Sequence, residues 1–132
     1  MTEKSTAPNT HLRTSSRWVG IPQELTAGYA VVRLETNPEM VVDDQGLVHG
    51  GFAFGLADYA AMLAVNDPNV VLGSAEVKFV APVRLGETLT ATAELVESNG
   101  KKRLVRCVVK TSRPVFEGVF TCFVLPKHIL ES

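Results

Sequence analysis

The hydrophobic pattern of this chain changes period once. Residues 49–66 carry apolar side chains on almost every side of a 3.6-residue repeat, with no polar stripe to face solvent. That predicts a helix wrapped by protein. Asp67-Pro68-Asn69 ends it, because proline cannot continue a helix and biases its predecessor away from the α region. Downstream the period is two. Ala75, Val77 and Phe79 share one face while Glu76 and Lys78 share the other. Pro82 breaks that strand, and Leu85-Gly86-Glu87 reads as a turn. Leu89, Ala91, Ala93 and Leu95 then oppose Thr88, Thr90, Thr92 and Glu94, and Ser98-Asn99-Gly100-Lys101 is a hairpin signal. Val105, Cys107 and Val109 alternate with Arg106, Val108 and Lys110. Phe116 to Leu125 is apolar on both faces except at Glu117 and Thr121, which suits a central strand. Upstream, Gly28 opens a β-branched run, Tyr29 to Thr36, closed by Asn37-Pro38.

One strand, a long buried helix and four strands in a meander predict an α+β architecture, an antiparallel β-sheet wrapped around one long central helix. Residues 1–10 have low hydrophobicity and a proline, so they are expected to form a flexible N-terminal tail, with 11–132 as a single domain. His11 to Val19 reads as a short amphipathic segment anchored by Leu12, Trp18 and Val19 and stopped by Gly20 and Pro22.

Composition narrows the function classes. The formal net charge of −1 over 132 residues lacks the basic footprint of a nucleic-acid binder. Met1 to Arg17 is polar with no apolar core, and the central apolar run is interrupted by Asp58 and three glycines, so neither a secretory signal nor a membrane span is expected. Cys107 and Cys122 lie inside apolar alternating segments, which predicts buried reduced thiols and a cytoplasmic protein.

The chemistry concentrates in the helix. Asp58 is the one carboxyl group between His49 and Asn66, and an unpaired carboxylate is costly to bury, so chance placement is a poor explanation. At the helix start, Gly50 and Gly51 leave the first-turn N–H groups uncovered, a ready site for a polarised carbonyl oxygen. The structural alternative is that Gly50, Gly51 and Gly55 permit close helix-to-sheet packing. No second histidine or cysteine stands at ligand spacing from His49, so no metal is expected and His49 reads as a capping or orienting residue. His11 and His128 read as surface residues near the tails.

His49-Gly50-Gly51-x-x-Phe54-x-Leu56-Ala57-Asp58, with Ala60, Ala64 and Asn66, resembles the hotdog-fold acyl-CoA thioesterases of the phenylacetate-degradation type. Phe79-x-x-Pro82-x-x-x-Gly86-Glu87-Thr88-Leu89 is similar to the same family's second stretch, and the likeness extends over residues 28–125. The resemblance implies a hotdog fold and hydrolysis of a small-to-medium or aryl acyl-CoA to free acid and CoA, without a cofactor. It implies that the Gly50 N–H polarises the thioester carbonyl and that Asp58 attacks it or activates water. His49 and Gly51 would orient substrate. Many relatives place Asn six residues before the histidine, where this chain has Asp43, and some supply a hydroxyl near the position of Ser74. Lys78, Arg84, Lys101, Lys102, Arg103 and Arg106 are candidates to steer CoA phosphates, and the methionines and phenylalanines to pack the core or line an acyl tunnel.

Gly50 and Asp58 are separated by about 12 Å along one helix at 1.5 Å per residue, too far to act on one centre. Two antiparallel helices related by a two-fold axis would bring them together. Self-association as a homodimer is therefore expected. A further pairing of dimers into a homotetramer is a separate expectation that does not rest on this geometry, and no nucleic-acid or membrane partner is expected. The alternatives are a non-catalytic acyl-CoA-binding hotdog module and an acyl-thioester dehydratase.

Overall fold

Residues 5–131 are described by a computed structural model. The long apolar run forms α2 (Gly50–Val65), with nine of its residues buried. Five alanines in that span favour the helix intrinsically, and its ends are set locally. His49 caps the start, and Asn66 closes the other end in the left-handed conformation, φ 54°, its N–H donating to the Met62 carbonyl at 2.8 Å.

Six strands wrap the helix: β1 (Ile21–Thr26), β2 (Tyr29–Glu35), β3 (Val70–Phe79), β4 (Thr88–Asn99), β5 (Lys102–Lys110) and β6 (Pro114–Val124). All pairings are antiparallel, in the spatial order β1-β2-β4-β5-β6-β3. Alternation puts Val32 and Leu34 of β2, Leu89 and Ala91 of β4, Val105 and Val109 of β5, and Phe116 and Phe120 of β6 in the core with the helix. Each such Val, Leu or Phe side chain contributes about 1.5–3 kcal/mol of hydrophobic stabilisation. Cys107 and Cys122 are buried free thiols, as their alternating segments predict.

Two features differ from the expectation. The four downstream strands are not a simple meander, because β3 pairs with β6 at the far edge while β2 takes the place beside β4. The connection after β3 is laced to the loop before α2, Val48 N–H to the Val83 carbonyl and Leu85 N–H to the Gly46 carbonyl. That lacing carries the chain past the helix start to the other half of the sheet. β6, apolar on both faces, is interior as predicted. Secondly, β1 is a strand that Gly20 and Pro22 disguise. At the edge of the sheet a proline removes no needed donor, and a register shift between Pro22 and Glu24 absorbs it.

Of residues 1–10, expected as a tail, 1–4 lie outside the described residues. Residues 5–10 are docked: Thr6 N–H donates to the Leu25 carbonyl, and Asn66 holds Ala7 and Asn9. Thr10 is buried. The segment continues into α1 (Ser16–Val19), where Trp18 and Val19 pack on the core, while Leu12 is exposed and anchors nothing. No helix among the described residues is long and apolar enough to cross a membrane.

Candidate active site

α2 borders two cavities, one at its start and one at its middle. At its start, Nδ1 of His49 accepts the Gly51 N–H at 2.7 Å, the capping geometry its position suggests. Of the two first-turn N–H groups expected to be open, only that of Gly50 stays unpaired among the described residues. A Cβ on Gly50 would come within 3.1 Å of the Phe79 ring, and one on Gly51 within 2.9 Å of the His49 ring. Both glycines thus make room for a neighbour. A cavity of about 380 Å³ lies here, bounded by His49, Gly50, Ala53, Phe79 and Pro82.

Asp58 lines the other cavity, of about 460 Å³, against Met62, Val70 and Leu72. Its Oδ1 is buried and has no hydrogen-bond partner among the described residues. Desolvation holds the carboxyl above the usual carboxylate range. The negative charge reaches Cys122, whose thiol is pushed up to about 12, first by burial and then by Asp58. An unpaired, partly desolvated carboxylate facing a cavity is an arrangement suited to taking a proton from water or attacking a carbonyl.

The remaining expected site residues are not gathered at either point. Asp43 is exposed, and its Oδ1 accepts the N–H groups of Gln45 at 3.0 Å and Leu47 at 3.2 Å, folding the loop that leads into α2. Ser74 pairs with Thr121 just beyond a register shift in β3, on the sheet face opposite that of Ala75, and lines neither of these cavities. Among the described residues no cluster of His, Cys, Asp or Glu could hold a metal.

The sequence reading missed the N-terminal side of the Asp58 cavity. Thr10 and His11 line it, as does His128 from the C-terminal segment. They arrive there because Phe52, Tyr59 and Asn66, seven residues apart, fall on one stripe of α2. The N-terminal segment runs back along that stripe. Asn66 Oδ1 accepts the Asn9 N–H at 2.7 Å and its Nδ2 donates to the Ala7 carbonyl at 3.0 Å. The His11 and Tyr59 ring centroids are 6.4 Å apart, and Trp18 stacks on Phe52 at 5.7 Å. The available signal was the Phe-Tyr-Asn heptad spacing on a helix otherwise buried.

Comparison with known proteins agrees with this architecture. The profile of the thioesterase superfamily matches residues 45–117, more than half the chain and all of α2. The crystal structure of an uncharacterised protein from Pyrococcus horikoshii superposes with a TM-score of 0.95 at 54% identity, over 96% of this chain and 98% of that one. Among curated relatives, a methylthioribose-1-phosphate isomerase of Aquifex aeolicus is 50% identical over 88% of this chain but only 26% of its own length. A transcription factor FapR of Caldanaerobacter subterraneus is 29% identical over 74% of this chain and 49% of its own. An acyl-coenzyme A thioesterase PaaI of Escherichia coli is 38% identical over 57% of this chain and 54% of its own. The chain therefore spans between about a quarter and about half of these curated relatives. With the sheet, the central helix and the His-Gly-Gly to Asp58 stretch all in place, this hotdog-fold chain belongs to the thioesterase superfamily.

Proposed function

We propose that the chain is an acyl-CoA thioesterase that hydrolyses a small-to-medium or aryl acyl-CoA, with each site shared between two subunits. The observation that carries this reading is Asp58, whose buried Oδ1 has no hydrogen-bond partner among the described residues, in an otherwise apolar helix. Gly50, at the start of α2, and Asp58, at its middle, line separate cavities. Two copies of α2 running antiparallel about a two-fold axis would bring Gly50 of one to Asp58 of the other. The space beside Gly55 supports that pairing, because among the described residues a Cβ there would meet nothing within 4 Å. So does β3, a sheet edge whose last residue, Phe79, is 58% exposed. Pairs of dimers would complete a tetramer.

In such a site the Gly50 N–H and the helix dipole stabilise the oxyanion, a contribution of about 3 kcal/mol for one well-placed donor. Asp58 attacks the carbonyl or takes a proton from the attacking water. In the second case the water oxygen bonds to the carbonyl carbon, the C–S bond breaks, and the proton held by Asp58 passes to the leaving thiolate. In the first, the C–S bond breaks to leave an acyl–Asp58 anhydride, which water then cleaves to the free acid, its proton going to the thiolate. His49 orders the first helical turn through the Gly51 N–H, and Asp43 folds the loop that leads into it. The decisive experiment is thiol release from short, medium and aryl acyl-CoAs by wild type and Asp58→Asn. Release by the wild type alone supports the reading. Enoyl product without thiol would instead identify a dehydratase.

A second reading is favoured by the FapR relatives, named as transcription factors. In that reading the fold binds acyl-CoA without turning it over. Tight acyl-CoA binding with no thiol release by either protein would select it.

A further inference from the structure

His11 sits with φ 54°, a left-handed backbone that few non-glycine residues adopt, His among the more tolerant. It is held there by two local bonds. Its Nδ1 is 2.8 Å from the hydroxyl of buried Thr10, and the Thr14 hydroxyl donates to its carbonyl at 3.1 Å. With Nδ1 engaged, Nε2 has no hydrogen-bond partner among the described residues. The side chain is exposed at the rim of the cavity that contains Asp58. The segment bearing it is fixed to α2 by the Asn66 clamp.

We propose that His11 is a further substrate-contacting residue, whose Nε2 hydrogen-bonds an amide of the thiol arm while the acyl group occupies the Asp58 cavity. This rests on the thioesterase reading above. The cavity floor is aliphatic, formed by Met62, Val70 and Leu72, and suits the acyl chain. The part of the ligand at the rim is the arm leading back to solvent, which in coenzyme A is a chain of amides. A contact there, away from the reacting carbonyl, holds ground state and transition state equally, so it enters KM and leaves kcat alone.

The test compares thiol release by wild type, His11→Gly, His11→Asn and Asn66→Gly. Glycine suits the left-handed backbone at both positions. His11→Gly thus removes the ring without strain, and Asn66→Gly removes both clamp bonds while keeping the helix end. With acyl-CoA, His11→Gly should raise KM about fivefold with kcat within about twofold of wild type, the size of one lost hydrogen bond. Asn66→Gly should reproduce the change, and His11→Asn, polar and tolerant of the same backbone, should recover part of it. With the same acyl group on a simple alkyl thiol lacking amides, His11→Gly and wild type should share one KM. An unchanged KM for acyl-CoA in both glycine variants overturns the proposal. So does a fall in kcat at constant KM, or an equal KM shift on the amide-free thioester. A wild type that releases no thiol from any thioester overturns the hydrolase reading itself, which separates the two failures.

Discussion

Nδ1 of His49 accepts the N–H of Gly51 at 2.7 Å, and that bond decides which backbone donor at the start of α2 stays open. Gly51 can make it because a side chain there would collide with the ring. The imidazole is therefore a structural cap, and its loss is expected to show in stability. His49→Ala should cost about 1 kcal/mol, the usual value for a lost N-cap, lowering Tm by about 3–5 °C for a domain of this size. His49→Asn, whose amide oxygen also caps well, should keep most of it. Thermal melts followed by far-UV circular dichroism check both. A melt for His49→Ala equal to wild type would remove the cap from the account.

Asp58 predicts an unusual pH dependence. Burial raises its folded pKa above the ordinary carboxylate value, so between the two values the folded state binds more protons than the unfolded state. Stability then falls as pH rises through that window, the reverse of a salt-bridged aspartate. The penalty is fully present above the folded pKa and absent below the unfolded one, near 3.8. Asp58→Asn carries no such penalty. Its Tm should exceed that of wild type by about 2–4 °C at neutral pH, and the gap should close on acidification. A gap that widens as pH falls would mean that the carboxylate has a partner.

The buried thiols give a chemical test of the core. Cys107 and Cys122 are both pushed up to about 12 and are fully covered. At pH 8 the thiolate fraction is on the order of 10⁻⁴. Alkylation by iodoacetamide should therefore leave native protein unmodified over an hour and add two groups after denaturation, read by intact mass. Selective modification of Cys122 in the native state would show that the Asp58 cavity reaches its sulfur.

What could be read from the chain divides along a physical line. Gly50–Val65 was legible because its apolar character and both end signals are local, and the paired faces of β4 and β5 because alternation is local too. Strand partners are not. Alternation in Ala75, Val77 and Phe79 says which residues share a face, while the pairing of β3 with β6 depends on where residues 80–87 are anchored. β1 was hidden by Pro22, which forbids an interior strand but not an edge. The docked N-terminal segment was least legible of all. Asn9 and Asn66 meet across 57 positions, and Asn66 clamps only because its own backbone is left-handed at the helix end. At the site, Asp58 and Gly50 stood out because a lone acid and a bare first turn are conspicuous in an apolar helix. The rim contributed by Thr10 and His11 required the fold.

Gly55 separates the one-subunit from the two-subunit picture. It lies one turn before Asp58, and among the described residues a Cβ there meets nothing within 4 Å. In an isolated subunit Gly55→Ala should stabilise, since glycine in a helix interior is about 0.8–1.0 kcal/mol less favourable than alanine. If two copies of α2 pack against each other at this point, the added methyls fall between them. The dimer should then weaken about tenfold, as an overpacked contact costs about 1–3 kcal/mol. Sedimentation velocity over a concentration series reads the association, and a melt at high dilution reads the subunit. Weaker association together with a higher dilute-limit Tm is the expected pair of results. A dimer unmoved by Gly55→Ala would place the subunit contact elsewhere, and Gly50 and Asp58 would then have no route to one carbonyl.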